Sequence, residues 1–196
     1  MTRHAWTGLA TAVCLLAFGA LGCSSAGHRP HFQSLGSRGF LEEVASHSAA
    51  ETQLSRDAIG LVDHEPVRAF AERMTEDHTR IEREAVEALR EIEPNASPQV
   101  DPAQREVVAS LTSKEGCRFE ADYLACVISD HEALVAAFEE QSRSGEHPAT
   151  RSFAERNLPT LRKHLDEART LLDEVGGEVP RTPMPPPTIP AMRIGM

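Results

Sequence analysis

The sequence predicts an all-α protein, a bundle of four long amphipathic helices. Three observations favour this fold class. Apolar residues recur at alternating spacings of three and four over long stretches. Aromatic residues make up only 5% of the chain, so the core must consist of Leu, Val, Ile and Ala, as in helical bundles. Once a leader and a proline-rich tail are subtracted from the 196 residues, the remaining length suits one domain.

Residues 1–23 have the pattern of an export signal. A short basic start precedes an apolar run, 9–21, that is too short to span a bilayer. The run ends in Ala20-Leu21-Gly22-Cys23, which resembles the lipobox where bacterial lipoproteins are acylated. We therefore predict a lipid anchor on Cys23, a flexible tether over residues 24–37, and an outer-membrane lipoprotein that faces the periplasm. The alternatives are secretion without the anchor and an uncleaved anchor.

The predicted bundle covers residues 38–177, and its first two helices carry polar residues in otherwise apolar faces. His47 and Glu51 interrupt the face of helix 1, and His78 interrupts that of helix 2. Helix 2 is predicted to begin just before Pro66, because Pro is tolerated in a first helical turn. The two faces are Phe40, Val44, His47, Glu51, Leu54, Ala58 and Leu61, then Val67, Phe70, Met74, His78, Ile81, Ala85 and Leu89.

The links between the predicted helices differ in length. Helices 1 and 2, and helices 3 and 4, are joined by short links that force antiparallel neighbours, whereas residues 92–116 form a long link with a short helix at 101–112. A long crossover lets helices 2 and 3 run parallel, so the sequence predicts a ferritin-like four-helix bundle. The faces of helices 3 and 4 are Glu120, Leu124, Val127, His131, Leu134 and Phe138, then Phe153, Asn157, Leu161, His164, Ala168, Leu171 and Val175.

Net charge and proline content indicate which partners the surface suits and which conformation the C-terminal tail adopts. The net charge of -10 and the lack of a Lys/Arg cluster argue against nucleic acid as a partner. Residues 178–196 contain six prolines, which favour an extended and unpacked tail.

Four polar residues lie near the midpoints of their helices and predict a shared layer. Glu51, His78, His131 and His164 form a candidate metal set, because imidazole and carboxylate groups suit Zn, Fe or Cu. His47 and Glu120 are candidate outer members of that set. The alternative is a polar layer without metal, in which the imidazoles and the carboxylate hydrogen-bond one another.

Catalytic signatures are absent from the sequence. It contains no P-loop, no Cys-x-x-Cys pair, no nucleophile elbow and no dinucleotide fingerprint. The Glu-x-x-His pairs of di-iron ferritins are missing too, since Thr75 and Leu161 stand three residues before His78 and His164. The sequence thus favours a non-enzymatic envelope lipoprotein that meets envelope proteins or its own copies, with a metal-binding or redox protein as the alternative.

Each helix contains a segment that resembles a known family. The segments are FLEEVASHSAAETQLSRDAI, VRAFAERMTEDHTRIE, GCRFEADYLACVISDHEALVAAFE and FAERNLPTLRKHLDEA. They resemble the bacterial "predicted outer membrane protein" family, domain of unknown function 4142, which is assigned a ferritin-like fold. Glu120 departs from the family pattern, where Asp is more usual. The resemblance implies a fold and a location, and it implies no agreed activity.

Overall fold

The computed structural model describes residues 35–98 and 117–176, and over these residues the chain forms four α-helices and no strand. The helices are α1 (Ser37–Leu61), α2 (Glu65–Ile92), α3 (Cys117–Ser144) and α4 (Pro148–Glu174). The prediction of an all-α bundle is confirmed. The leader with Cys23, the short helix expected at 101–112 and the tail lie outside the described residues.

The four helices form two hairpins that pack against each other. Links 62–64 and 145–147 join α1 to α2 and α3 to α4, and the hairpins meet chiefly along α2 and α4. The ring of Phe70 packs on that of Tyr123, with centroids 6.4 Å apart, and the ring of His78 packs on that of His131 at 5.2 Å. Both pairs have the same separation in sequence, so α2 and α3 point in the same direction.

Local backbone chemistry sets the helix ends. Pro66 and Pro148 lie in the first turns of α2 and α4, where a missing N–H costs nothing. Gly145 opens the link after α3, and a Cβ there would lie 2.6 Å from the carbonyl oxygen of Gln141, so this close approach requires glycine. Gly176 has φ of 70°, the left-handed conformation that commonly ends a helix.

Two apolar clusters fill the bundle and leave a polar layer between them. One cluster lies towards the α1–α2 link and includes Phe70, Met74 and Tyr123. The other lies towards the α3–α4 link, where Phe40 packs edge-on against Phe138 with ring centroids 5.1 Å apart. All residues of the four predicted faces are buried, apart from Leu61 and Val175, which are half-buried. The polar members of those faces therefore lie inside the protein.

None of the helices described over residues 35–98 and 117–176 combines the length and the apolar character that crossing a bilayer demands.

Candidate metal centre

Three histidines from three helices meet between the two apolar clusters. His78 of α2, His131 of α3 and His164 of α4 are each almost completely buried. Their positions follow from the helical period, because each occupies a seam position of its helix that a hydrocarbon fills one turn above and below. We call these three residues the histidine triad.

The distances within the histidine triad match those of a coordination shell. His78 Nε2 lies 3.3 Å from His131 Nε2, which lies 3.3 Å from His164 Nδ1. Zn–N bonds of about 2.0–2.1 Å at tetrahedral angles separate two ligand nitrogens by about 3.3–3.4 Å. One ligand nitrogen from each of the three residues falls within a mutual distance of 4.8 Å. The triad is thus preorganised at the spacing a single ion needs.

The outward nitrogens of two triad members have acceptors that set their tautomers. His131 Nδ1 lies 3.0 Å from the carbonyl oxygen of Val127, and His164 Nε2 lies 3.0 Å from Asp77 Oδ2. Since both partners only accept, we assign the protons to these outward nitrogens. The inward nitrogens, His131 Nε2 and His164 Nδ1, therefore present lone pairs to the centre, as metal-ligating histidines do.

The histidine triad holds too few protons to satisfy all of its inward nitrogens. Only His78 can supply a proton to the centre, and one proton satisfies at most one of the two facing lone pairs. If that proton points inward, the buried His78 Nδ1 has no partner, and none is present in the structure. If it points outward, three lone pairs face one another. A cation at the centre would satisfy all three nitrogens.

The surroundings of the triad keep its imidazoles neutral. Burial is the main cause that lowers the pKa of His78 well below its usual value, and it lowers the pKa of His131 to about 3. Burial also lowers the pKa of His164, although its hydrogen bond to Asp77 acts in the opposite direction. A neutral imidazole is the form that binds a metal ion.

Asp77 connects the buried triad to the surface. Its side chain is one-third exposed, and its second oxygen accepts a hydrogen bond of 3.1 Å from Arg80. Burial alone would raise the pKa of Asp77, but the hydrogen bonds from Arg80 and His164 lower it. Arg80 is in turn held by Glu84 and by Asn157 Oδ1 at 2.7 Å. This chain of contacts keeps Asp77 ionised and oriented towards His164.

A second group of ligating residues lies on the α1–α3 side of the layer. His47 and Glu51, one turn apart on α1, approach Asp130 of α3, with ligand atoms within 4.8 Å of one another. Glu51 is only 3% exposed, and neither carboxylate oxygen has a hydrogen-bond partner. His47 Nε2 lies 3.5 Å from Glu51 Oε1. We call His47, Glu51 and Asp130 the α1–α3 group.

Charge within the α1–α3 group is strongly coupled. Burial raises the pKa of Glu51, but the interaction with His47 lowers it, and electrostatic interactions with His78 and His131 lower it further. Burial alone would lower the pKa of His47, and Glu51 and Asp130 raise it to about 9. Burial and the Glu51 charge raise the pKa of Asp130 to about 7. Without a metal ion, a protonated His47 therefore neutralises Glu51.

The structure thus brings together five of the six residues that the sequence selected: His78, His131 and His164 in the triad, with Glu51 and His47 beside them. Glu120, predicted as an outer member of the metal set, does not lie with them. Its carboxylate accepts hydrogen bonds from the backbone N–H groups of Asp63 at 2.6 Å and His64 at 2.7 Å. Eleven residues separate it from His131 in α3, about 16 Å along the axis. Glu120 faces the seam but stabilises the α1–α2 link.

Replacing Glu120 by Ala is expected to lower the free energy of unfolding by about 3 kcal/mol, because two charge-assisted hydrogen bonds are lost. Urea unfolding measures this loss. Glu120→Gln is the matched control, since an amide oxygen still accepts, and its loss should be smaller. Equal losses in the two variants, or a change in metal content of Glu120→Ala, would contradict this structural role.

Two carboxylates of the layer escaped the sequence-based selection. Asp77 and Asp130 lie one position off the seam of their helices, so a search restricted to apolar faces passes over them. A signal was nevertheless present, because an Asp-His pair occurs in both α2 and α3. In each pair the histidine points into the triad and the aspartate lies near another layer residue, His164 or His47.

Comparison with known proteins adds a family and no activity. The model of the family described as "Domain of unknown function (DUF4142)" matches residues 24–171. No curated protein matches the chain, and no solved structure does.

Proposed function

The chain belongs to the family of domain of unknown function 4142, and from the chemistry of its buried layer we propose that it is a metal-binding protein. The histidine triad holds a transition-metal ion, and Glu51 completes the ligand set. The family membership agrees with the resemblance of the four helical segments and states no activity. The donor atoms therefore carry the proposal.

The observation that carries this proposal is the set of lone pairs at the centre of the triad. Two inward nitrogens 3.3 Å apart have their protons on the outside, so they repel each other unless a cation lies between them. A polar layer without metal is the competing explanation. It requires mutual hydrogen bonding, yet His78 Nδ1 and both Glu51 oxygens lack partners. A bound ion removes this deficit, which is otherwise costly in a dry core.

The donor set selects the class of ion. Three imidazole nitrogens with one carboxylate suit Zn²⁺, Cu²⁺ or iron, whereas Mg²⁺ and Ca²⁺ prefer oxygen ligands. Glu51 supplies one negative charge to a divalent ion in buried surroundings. Zn²⁺ is the reference ion for testing, because it has no redox chemistry that would complicate the measurement.

Elemental analysis of protein purified without chelator tests the proposal. We expect bound transition metal in the wild-type protein and a lower metal content per chain in His164→Gln, which lacks one ligand of the triad. The control is His64→Gln, which removes an imidazole 14 residues from His78 in sequence, about 20 Å along α2. Failure of the EDTA-treated wild type to take up Zn²⁺, Cu²⁺ or Fe²⁺ would refute metal binding.

Asp77 is expected to be a positioning residue for the metal ion. Replacing it by Asn removes the negative charge beside His164 Nε2, so the hydrogen bond that this nitrogen donates to the side chain becomes weaker. Loss of such an outer carboxylate typically weakens metal affinity by roughly 10–100-fold. Zn²⁺ competition with a chromophoric chelator measures the affinity. Asp166→Asn, on the exposed face of α4, should leave it unchanged; equal weakening in both variants would argue against this role.

Location is a separate part of the proposal. The sequence Ala20-Leu21-Gly22-Cys23 supports a lipid anchor on Cys23, with the bundle held at the outer membrane and facing the periplasm. Labelled palmitate should enter the wild-type protein and not Cys23→Ala. Equal labelling of both, or recovery of the wild type free in the medium, would contradict anchoring. A non-enzymatic role beside envelope proteins or other copies of the chain is compatible with this location.

The fold type is proposed at a finer level than four helices. We propose a ferritin-like arrangement, which the parallel directions of α2 and α3 support and which requires a crossover between these two helices. Chemical cross-linking tests it: a reagent of fixed length should join side chains of residues 93–116 to both ends of the bundle. Cross-links to one end alone would exclude the crossover.

A further inference from the structure

We infer that a second cation binds on the α1–α3 side of the layer, held by His47, Glu51 and Asp130, with the Glu51 carboxylate shared between the two ions. This inference rests on the proposed function, because the first ion is the one at the histidine triad. The two ligand sets lie next to each other, because Asp130 and His131 are consecutive on α3. Glu51 lies in the second set, and its charge also acts on His78 and His131, so we assign it to both ions.

The geometry of the α1–α3 group is that of a ligand set. One ligand atom from each of His47, Glu51 and Asp130 lies within 4.8 Å of the others. His47 and Glu51 are one helical turn apart, so both project from the same face of α1 towards α3. One imidazole and two carboxylates are a donor set that suits Zn²⁺, Fe²⁺ or Mn²⁺.

Glu51 supplies the independent sign that a ligand is needed here. Its carboxylate is 97% buried, given the 3% exposure of the residue, and both oxygens lack hydrogen-bond partners. Burying a carboxylate is costly, and without a metal ion only the charge of His47 offsets that cost in the α1–α3 group. His47 faces one oxygen at 3.5 Å, which leaves Oε2 unengaged. A carboxylate between two ions binds one with each oxygen, as in two-metal sites, and both oxygens of Glu51 would then be used.

The order of residues along α3 joins the two sets. Asp130 and His131 are consecutive, so their side chains leave the helix about 100° apart. His131 points to His78 and His164, while Asp130 lies beside His47 and Glu51. The Asp130 carboxylate is oriented by the Cys126 thiol, which donates to Oδ2 at 3.5 Å. A single turn of α3 thus supplies one ligand to each ion.

Solvent reaches the second set more easily than the first. Asp130 is partly exposed, whereas every member of the histidine triad is buried. Of the four neighbouring helix pairs, α1 and α3 approach each other least closely. We therefore expect an ion to enter the α1–α3 group from this seam.

Zinc stoichiometry tests the second site. EDTA-treated full-length protein is dialysed to equilibrium against Zn²⁺, and zinc is measured per chain. We expect two ions in the wild type, one in Asp130→Asn, one in His47→Gln and one in His164→Gln. Asp166→Asn is the matched control and should retain two. The two substitutions within the α1–α3 group serve as independent tests, so a folding failure of either leaves the other decisive.

The outcomes separate this inference from the function on which it rests. A single ion in the wild type that survives Asp130→Asn and His47→Gln but not His164→Gln overturns the second site and keeps the triad. A single ion that survives His164→Gln but not Asp130→Asn overturns the triad and assigns the ion to the α1–α3 group alone. Absence of zinc in every protein overturns both.

Discussion

Saturating Zn²⁺ is expected to raise the melting temperature of the metal-free protein by roughly 10 °C. An ion that binds only the folded state adds about 4 kcal/mol of stability at a free concentration one thousand times the dissociation constant. For a domain of this size each kcal/mol corresponds to roughly 2–4 °C or slightly more. The triad exists only when α2, α3 and α4 are packed together, so the unfolded chain offers no comparable site. Differential scanning calorimetry measures the shift.

His131→Leu is expected to abolish most of this shift, because His131 is the residue whose Nε2 contacts both other triad members. Leucine has a similar volume and a strong helix propensity, so the variant should fold. His64→Gln should retain the full shift. A melting temperature of the wild type that does not change with Zn²⁺, Cu²⁺ or Fe²⁺ would contradict a metal centre. An undiminished shift in His131→Leu would show that the ion binds outside the histidine triad.

Acidification of the metal-free protein from pH 6.5 to 5 is expected to lower the free energy of unfolding by about 2 kcal/mol or more. The folded pKa of His131 is about 3, and that of His78 is also depressed, against about 6.5 in the unfolded chain. Between pH 6.5 and 5 the unfolded state therefore binds protons that the folded state does not bind. Each such imidazole costs about 2 kcal/mol over 1.5 pH units.

Other groups around the triad adjust this balance. Asp130, with its pKa raised to about 7, gains a proton in the folded state within the same window and offsets one imidazole. His47, with a pKa of about 9, is already protonated in the folded state near pH 6.5, so its contribution is fully present below that pH. Glu51 has a lowered pKa, and its contribution is lost only below its ordinary value near 4.5. The pKa of His164 is lowered as well. The depressed imidazoles therefore exceed the single offset, and the net effect of acid is destabilising.

Urea unfolding at pH 6.5, 6 and 5 measures the acid effect. His131→Leu lacks one of the imidazoles that are protonated only in the unfolded state, so its free energy of unfolding should depend much less on pH. His64→Gln should show the same pH dependence as the wild type. A dependence of equal slope in wild type and His131→Leu would show that acid acts at another site.

The polar layer divides a core that hydrocarbon side chains could otherwise fill. Apolar clusters pack above and below it, and the buried carboxylate and imidazoles between them lack a full set of partners. Well-packed hydrophobic residues in such positions are often at least as stabilising as buried charges. Binding of a ligand therefore explains a buried polar layer better than a contribution of that layer to the stability of the fold.

Helical periodicity in the sequence was sufficient to predict the four helices and the faces they bury. The spacing of three and four selected His47, Glu51, His78, His131 and His164 as inward-facing, and each is buried. These predictions succeed because burial of an apolar stripe is decided within one helix by the position of each side chain around its axis. The position of Pro66 likewise marked a helix start through backbone chemistry that is local.

The sequence by itself therefore determined which side chains point inward, and only the tertiary structure decided which of them meet. Glu120 points inward like His131 but lies about 16 Å away along α3, where it binds backbone N–H groups of the α1–α2 link. Asp130 lies off the apolar face yet reaches His47 and Glu51. The physical reason is that the period of a helix defines direction around its axis, whereas the relative height and rotation of neighbouring helices depend on how their side chains pack against each other.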